Sequence, residues 1–438
     1  MPDSQYKLSY LETLMHLVKG NVGTGIFAMG DAFRNSGIIV GPILMLILGF
    51  VCIHCQHLLT QSAKSLRTKH QIEKKLTFAT TVELCFLQGP HKMSKFSHKM
   101  KRIVNWCLII TQLGFCCVYF IFISDNIKQV ADHHGFELDI RSIMTIIFIP
   151  VLLPCMLRNL KYLSPISGLA NLLMLVGIII VTYYSLSGDF APISEIKYVP
   201  SLKSLPLFFG TAIFCFEGIA LVLPLKNEMR NPRDFGKPLG VLNVGMSFVG
   251  ILFIFVGIIG YLKFGETVMG SITLNLPEDE ILYQAVKAII SVGVLLTYCL
   301  QLFVVVEIVW PFILSKKLKH NKHPVVWELL LRMSLVLLTL VMAQIIPFLS
   351  LFISLVGAVC SAALSLLFPA LLDLLIKYVD KELTFFILTK DGFIVFLSLT
   401  GMITGGYESI SSILLALSQE DEYEVTQNTT HSTTISYL

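Results

Sequence analysis

The chain has 438 residues, 55% of them apolar and only 14% charged, with a mean hydropathy of +0.75. Soluble globular chains carry nearer ~25% charged residues, so a water-soluble enzyme is excluded and a membrane protein is indicated. The net charge of +4 reflects lysines of the inside loops and implies no nucleic-acid partner.

Residues 1–8 form a short polar segment with no basic n-region and no A-x-A site, so the first span is expected to stay as an anchor. Apolar runs near the ~20 residues needed to cross a bilayer then recur to the end of the chain. Eleven spans are predicted, at 9–34, 38–62, 103–126, 139–157, 164–186, 203–226, 238–262, 281–314, 324–346, 348–375 and 391–416. A tail, 417–438, follows.

The first span is interrupted by Gly20-Asn21-Val22-Gly23-Thr24-Gly25. Irregular backbone survives at membrane depth only where it is buried in protein or lines a cavity. Glycine lets backbone amides face a ligand with no Cβ in the way. The start of the outer half-helix, expected near Gly25-Ile26, carries partial positive charge suited to a carboxylate. His16 lies one turn before the break, with an imidazole that titrates near neutral pH. It is a candidate for proton coupling, or a plain interhelical hydrogen-bonding group. Asp31 and Arg34 in the outer half are expected to reach a water-filled vestibule.

In the second span, Cys52-Ile53-His54-Cys55-Gln56-His57 has metal-ligand residue types. On a helix the two cysteines and two histidines face different directions and make no tetrahedral set, so no metal is expected. His54 is retained as a third proton-handling candidate. The longest polar segment, 63–102, is basic at both ends around a moderately apolar stretch, Phe78–Leu87. It reads as a cytoplasmic loop with a short helix at the membrane interface. Further buried polar groups are expected at Thr111, Gln112, Tyr298 and Gln301 in the third and eighth spans.

A second interruption opens the sixth span. Phe214-Cys215-Phe216-Glu217-Gly218 places a carboxylate and a glycine where backbone carbonyls would face an ammonium group. Glu217 is ionisable near the bilayer middle and is a functional candidate for that reason; it is equally a candidate for holding the break open. The blocks 9–186 and 203–375 match in length, each opens on a break, and five spans make the second enter from the opposite side. That is the hydropathy signature of a five-plus-five inverted repeat with an extra span at 391–416. The halves share no visible residue-level similarity.

Orientation follows from Lys and Arg. With the N-terminus inside, twenty-four of the thirty-three lie in cytoplasmic segments and six outside. Trp106, Trp310 and Trp327 fall at cytoplasmic span ends, and the sequon Asn428-Thr429-Thr430 lies in the tail placed outside. Asn428 is therefore a glycosylation candidate. None of the ten cysteines falls in an outside loop, so no disulfide framework is indicated.

Met15–Gly25 and Phe208–Gly218, with Gly41-Pro42, Ile110–Gly114, Asp125-Asn126-Ile127, Gly270–Pro277 and Ser354–Gly357, resemble the proton-coupled amino acid transporters of the amino acid/auxin permease family. The similarity runs from about Leu11 to Glu408. It implies an all-α LeuT-like fold and symport of small neutral amino acids such as glycine, alanine or proline with protons, with no cofactor beyond the coupling ion. It also makes His16 the leading coupling residue. Three departures stand out: Gly30-Asp31 replaces a frequent proline, Cys215 replaces a usual alanine, and the outside cysteine pair of some members is absent.

The alternative to a symporter is an endolysosomal amino acid sensor/transporter with weak proton coupling, signalling to cytoplasmic partners. An intramembrane aspartyl protease fails, because Ala28-Met29-Gly30-Asp31 lacks the first glycine of G-x-G-D. The sequence leaves plasma membrane and lysosomal or endosomal membrane both open.

Overall fold

The computed structural model describes residues 7–73, 75–158, 160–317 and 323–435, with side chains described outside 160–167, 312–317 and 420–435. The Asn428 side chain therefore lies outside the described residues, as do the first six residues of the N-terminal segment.

The described chain is helical almost throughout. The helices are α1 (Tyr10–Asn21), α2 (Met29–Ser36), α3 (Val40–Lys69), α4 (Phe78–Gln88), α5 (His91–Ser94), α6 (Ser97–His133), α7 (Ile140–Cys155) and α8 (Leu160–Leu186). They continue as α9 (Leu205–Cys215), α10 (Ile219–Glu228), α11 (Val241–Phe264), α12 (Ile281–Lys317), α13 (Pro324–Ile345), α14 (Leu349–Val356), α15 (Phe368–Val379) and α16 (Phe385–Ile435). Among the described residues, nine helical segments are long and apolar enough to cross a membrane. Two further expected spans take other forms: the first is split into α1 and α2, and the fourth is the short α7, with Pro150 and Pro154 inside it.

Each broken span has a local cause. Ser9 caps α1 in a reciprocal box, its hydroxyl accepting from the Glu12 amide at 3.3 Å while its own amide donates to the Glu12 carboxylate at 2.8 Å. The helix stops at Val22, where the chain turns extended, and a 3₁₀ turn over Thr24–Ala28 leads into α2. The outer half-helix proper thus begins at Met29, a turn later than Gly25-Ile26. The second break is tight: α9 ends at Cys215 and α10 starts at Ile219.

The core runs through the middle of the bundle, where Ile26–Met29, Phe115–Ile123 and Phe208, Phe214 and Phe216 are all buried. Here α9 and α14 approach backbone to backbone. A Cβ on Gly357 would strike the Gly210 carbonyl, and one on Gly210 would strike the Ser354 carbonyl. Small residues at such crossings allow membrane helices to pack by close contact. Beyond α14 the helix widens into two π turns, Gly357–Ser361 and Ala363–Leu367.

A second buried cluster joins α4, the end of α3 and α15. The helix expected at the interface within 63–102 does form, but it buries Phe78, Ala79, Val82 and Cys85 against the protein, and Thr77 and Thr80 cap its start. The last helix does not stop near Ala416; its backbone stays helical to Ile435.

Candidate functional site

The two breaks meet. The Asn21 side chain donates to the Leu17 carbonyl at 2.8 Å, which turns its Oδ1 toward the other break. That side chain lies so close to Gly218 that any Cβ there would collide with it. One step along, a Cβ on Gly25 would come within 2.6 Å of Cys215 Sγ and 3.5 Å of the Phe214 ring. Gly23 is the roomy member, its nearest neighbour being the Tyr119 hydroxyl, 3.7 Å from where a Cβ would sit.

The polar atoms at this junction are under-used. Asn21 Oδ1, Thr24 Oγ1 and Glu217 Oε1 are buried with no hydrogen-bond partner among the described residues. Each such orphan costs about 1–3 kcal/mol, so an arrangement with three is suited to a ligand that supplies partners. The other oxygen of Glu217 accepts from Ser365 at 2.6 Å. Tyr119 and Gln301 close the junction from α6 and α12, the Gln301 amide donating to the Tyr119 hydroxyl at 3.5 Å.

Not every expected residue faces this point. Gly20 packs against Leu221, where a Cβ would not fit, so its small size serves the contact of α1 with α10. Phe216 turns away from the junction toward Gly49 on α3 and stacks edge-on with Phe253 at 5.9 Å. Phe214 stays at the junction and packs edge-on against Phe115 at 4.7 Å. Val22 is half-buried in the extended link.

His16 is exposed on α1, below the break and outside the buried junction. His54 is elsewhere: its Nε2 is 3.0 Å from Lys390 Nζ, which also pairs with Asp391 at 3.1 Å and lies 3.9 Å from Asp373. His57 instead faces Asn243, 2.6 Å away. Asp31 does not open to a vestibule; it is buried and ion-paired with Arg34, which also donates to the Val268 carbonyl at 2.9 Å. Gly30 sits under Val268 and Ile272, and a Cβ would come within 2.9 Å of the first.

Tyr119 is not marked out by its place in the sequence. It sits in an unbroken apolar helix next to Cys116 and Cys117, and its neighbours in sequence give no hint that its hydroxyl meets Gly23.

The family model described as transmembrane amino acid transporter protein matches residues 6–411. The chain belongs to this amino acid transporter family. It is 35% identical over 423 residues to the proton-coupled amino acid transporter-like protein pathetic of Drosophila melanogaster, covering 96% of this chain and 88% of that one. It is 28% identical to vacuolar amino acid transporter 4 of Saccharomyces cerevisiae, covering 94% of this chain but only 60% of that protein.

Among solved structures, the inward-facing conformation of Mhp1 superposes with a TM-score of 0.57 at 11% identity, covering 95% of this chain and 92% of the other. The family member is thus a multi-pass, all-α integral membrane protein with a LeuT-like fold. Its relatives and structural neighbours are transporters, not enzymes.

Proposed function

We propose that this family member is a secondary active symporter that moves small neutral amino acids, of the glycine, alanine or proline type, together with protons. The observation that carries the proposal is the junction of the two breaks, with its three orphaned polar atoms. The carboxylate of a zwitterion would take the bare amides around Gly23–Gly25, and its ammonium would take the carbonyls at the end of α9 and the free oxygen of Glu217. Half-helix termini of opposite polarity are how transporters hold such a ligand. Cys215 and Phe214 pack closely on Gly25, and a tight junction of this kind suits a substrate with a small side chain.

Glu217 is the group best placed to hold the coupling proton, being buried, one residue from Gly218 and free at one oxygen. His16, first by resemblance, ranks behind it because it is exposed below the junction. His54 ranks third, in its own cluster with Lys390. An inward proton also moves down the membrane potential, worth about 2.3 kcal/mol per charge per 100 mV, which is enough to concentrate a neutral amino acid tens-fold.

The proposal includes repeats at 9–186 and 203–375, a cytoplasmic N-terminus and an outside tail glycosylated at Asn428. The name of the yeast relative supports an endolysosomal membrane, with the proton-rich lumen as the outside. The test is uptake of labelled glycine, alanine, proline, leucine and arginine at two external pH values in cells that display the protein at their surface. Uptake of the small neutral compounds, faster at the acidic pH, is expected. Preference for arginine, or indifference to pH, overturns the proposal.

A further inference from the structure

A cavity of about 1170 Å³ lies apart from the junction, at the end of the bundle where α3 and α10 terminate. Its walls are Thr60–Thr68 of α3, the chain at 71–73 and 75–76, the end of α10 and the link from α10 to α11. Lys64, Arg67 and Lys75 line one side, and Lys226, Arg233 and Lys237 the other. Lys7 adds a seventh cation, against two carboxylates, Glu73 and Glu228.

Most of this charge is uncommitted. Lys237 pairs with Asp234 at 2.6 Å, Arg67 donates to the carbonyls of Ile72 and Glu73, and Lys226 donates to the Thr60 carbonyl at 3.3 Å. Lys7, Lys64, Lys75 and Arg233 make no ion pair with any described residue. Topological charge bias alone puts lysines on loops, free to spread into water. Here like charges from five separate segments are gathered around one concavity, which costs self-repulsion unless an anion neutralises it.

The walls are also held together. Leu8 pairs with the end of α10, its amide donating to the Glu228 carbonyl at 3.0 Å and its carbonyl accepting from the Arg230 amide at 2.8 Å. Lys7 is thereby fixed beside the α10–α11 link. A ligand in the cavity would tie the N-terminal segment, α3 and α10 to one another.

We propose that this cavity binds an anion bearing two or more phosphate groups on a compact ring, the chemistry of an inositol polyphosphate. A single phosphate would engage one or two of the cations. Several phosphates in one rigid molecule would match the separate clusters of Lys64 with Lys75 and of Lys226 with Arg233, with Arg233 able to grip a phosphate through two N–H groups. The group could arrive as the headgroup of an anionic membrane lipid or as a free solute. The inference does not depend on which amino acid is carried.

The test is binding to the purified full-length protein in detergent, followed by thermal shift and native mass spectrometry. The probes are inorganic phosphate, inositol hexakisphosphate and a short-chain phosphatidylinositol bisphosphate. Both inositol compounds should bind at least about tenfold more tightly than inorganic phosphate, since multiple charge-assisted contacts act together. Equal binding of the two supports a solute, and preference for the short-chain lipid supports a headgroup.

Lys64→Gln with Arg233→Gln removes two exposed, unpaired cations and should weaken binding about tenfold, while the thermal midpoint without ligand does not fall because self-repulsion is relieved. The control is Lys92→Gln with Lys99→Gln, which removes two cations, on α5 and α6, outside the cavity. The proposal is overturned by absence of binding of both inositol compounds, or by equal weakening in the control. Uptake is not the readout, so failure here leaves the transport proposal standing.

Discussion

Ser365, in the second π turn, donates a 2.6 Å hydrogen bond to Glu217 in the second break. The bond connects the segment between α14 and α15 to the junction, and it leaves the other carboxylate oxygen buried without a partner among the described residues. One carboxylate therefore has a fixed side and a free side.

Replacing Glu217 with Gln separates these roles. The amide oxygen still accepts from Ser365, but the side chain no longer gains or loses a proton. One pH unit is worth about 1.4 kcal/mol, or about tenfold in accumulation, for each proton carried. Glu217→Gln should lose that accumulation and keep exchange of labelled for unlabelled amino acid. His16→Ala should retain pH-driven accumulation. The reverse pattern would move the coupling site to α1.

Gly23 and Gly25 differ in what a side chain would meet. Gly23→Ala has room beside Tyr119, so normal surface expression with lost uptake is expected if the substrate carboxylate lies there. Wild-type transport by Gly23→Ala would remove the substrate from this break. Gly25→Ala drives a methyl group toward Cys215 Sγ and should lower the thermal midpoint. Adding Cys215→Ala makes space, so the double variant should recover stability beyond the sum of the single changes.

The orientation is testable by epitope labelling of intact cells expressing the protein at the surface. A tag after Gln419 should be reached and one near Gln88 should not. Opposite labelling would reverse the orientation, and labelling of both tags or of neither would overturn the inverted-repeat assignment, because an odd number of spans is expected between them.

A stability effect is expected far from the junction. Glu328 sits between two cations, Arg158 at 2.7 Å and the buried Arg332 at 3.0 Å, and Arg332 also donates to the Cys155 carbonyl at 3.0 Å. Glu328→Ala leaves Arg332 buried without its carboxylate, a change that costs about 3–5 kcal/mol. The thermal midpoint in detergent should fall steeply, while Ser334→Ala on the exposed face of the same helix should have little effect. Equal midpoints would show that the pair is not needed.

Much of this architecture could be read from the chain alone, because glycine, asparagine and glutamate inside apolar runs are costly unless the backbone is broken there. That is why Asn21, Gly25, Cys215, Glu217 and Gly218 stand out in the sequence. Their partners were harder. Tyr119 and Ser365 look like ordinary members of apolar helices, and only tertiary packing brings their hydroxyls to Gly23 and Glu217. Gly20 and Phe216 show the converse: they lie in the right stretch of sequence, but helix rotation turns one to Leu221 and the other to Gly49. Asp31 misleads for a similar reason, since its partner, Arg34, is one turn along the same helix and the pair is covered rather than open.

The short α7 bears on the lipid itself. Its 16 residues extend about 24 Å, against ~30 Å for a typical hydrocarbon layer. Ile146, Ile149 and Leu153 face outward from it, so acyl chains meet this flank directly. The bilayer beside it must thin or the helix ends must reach toward the headgroups, at a cost of fractions of a kcal/mol per Å. At this flank alone the protein is matched to a thin hydrocarbon layer, and reconstitution into lipids of graded acyl length should show its activity falling as the chains grow longer.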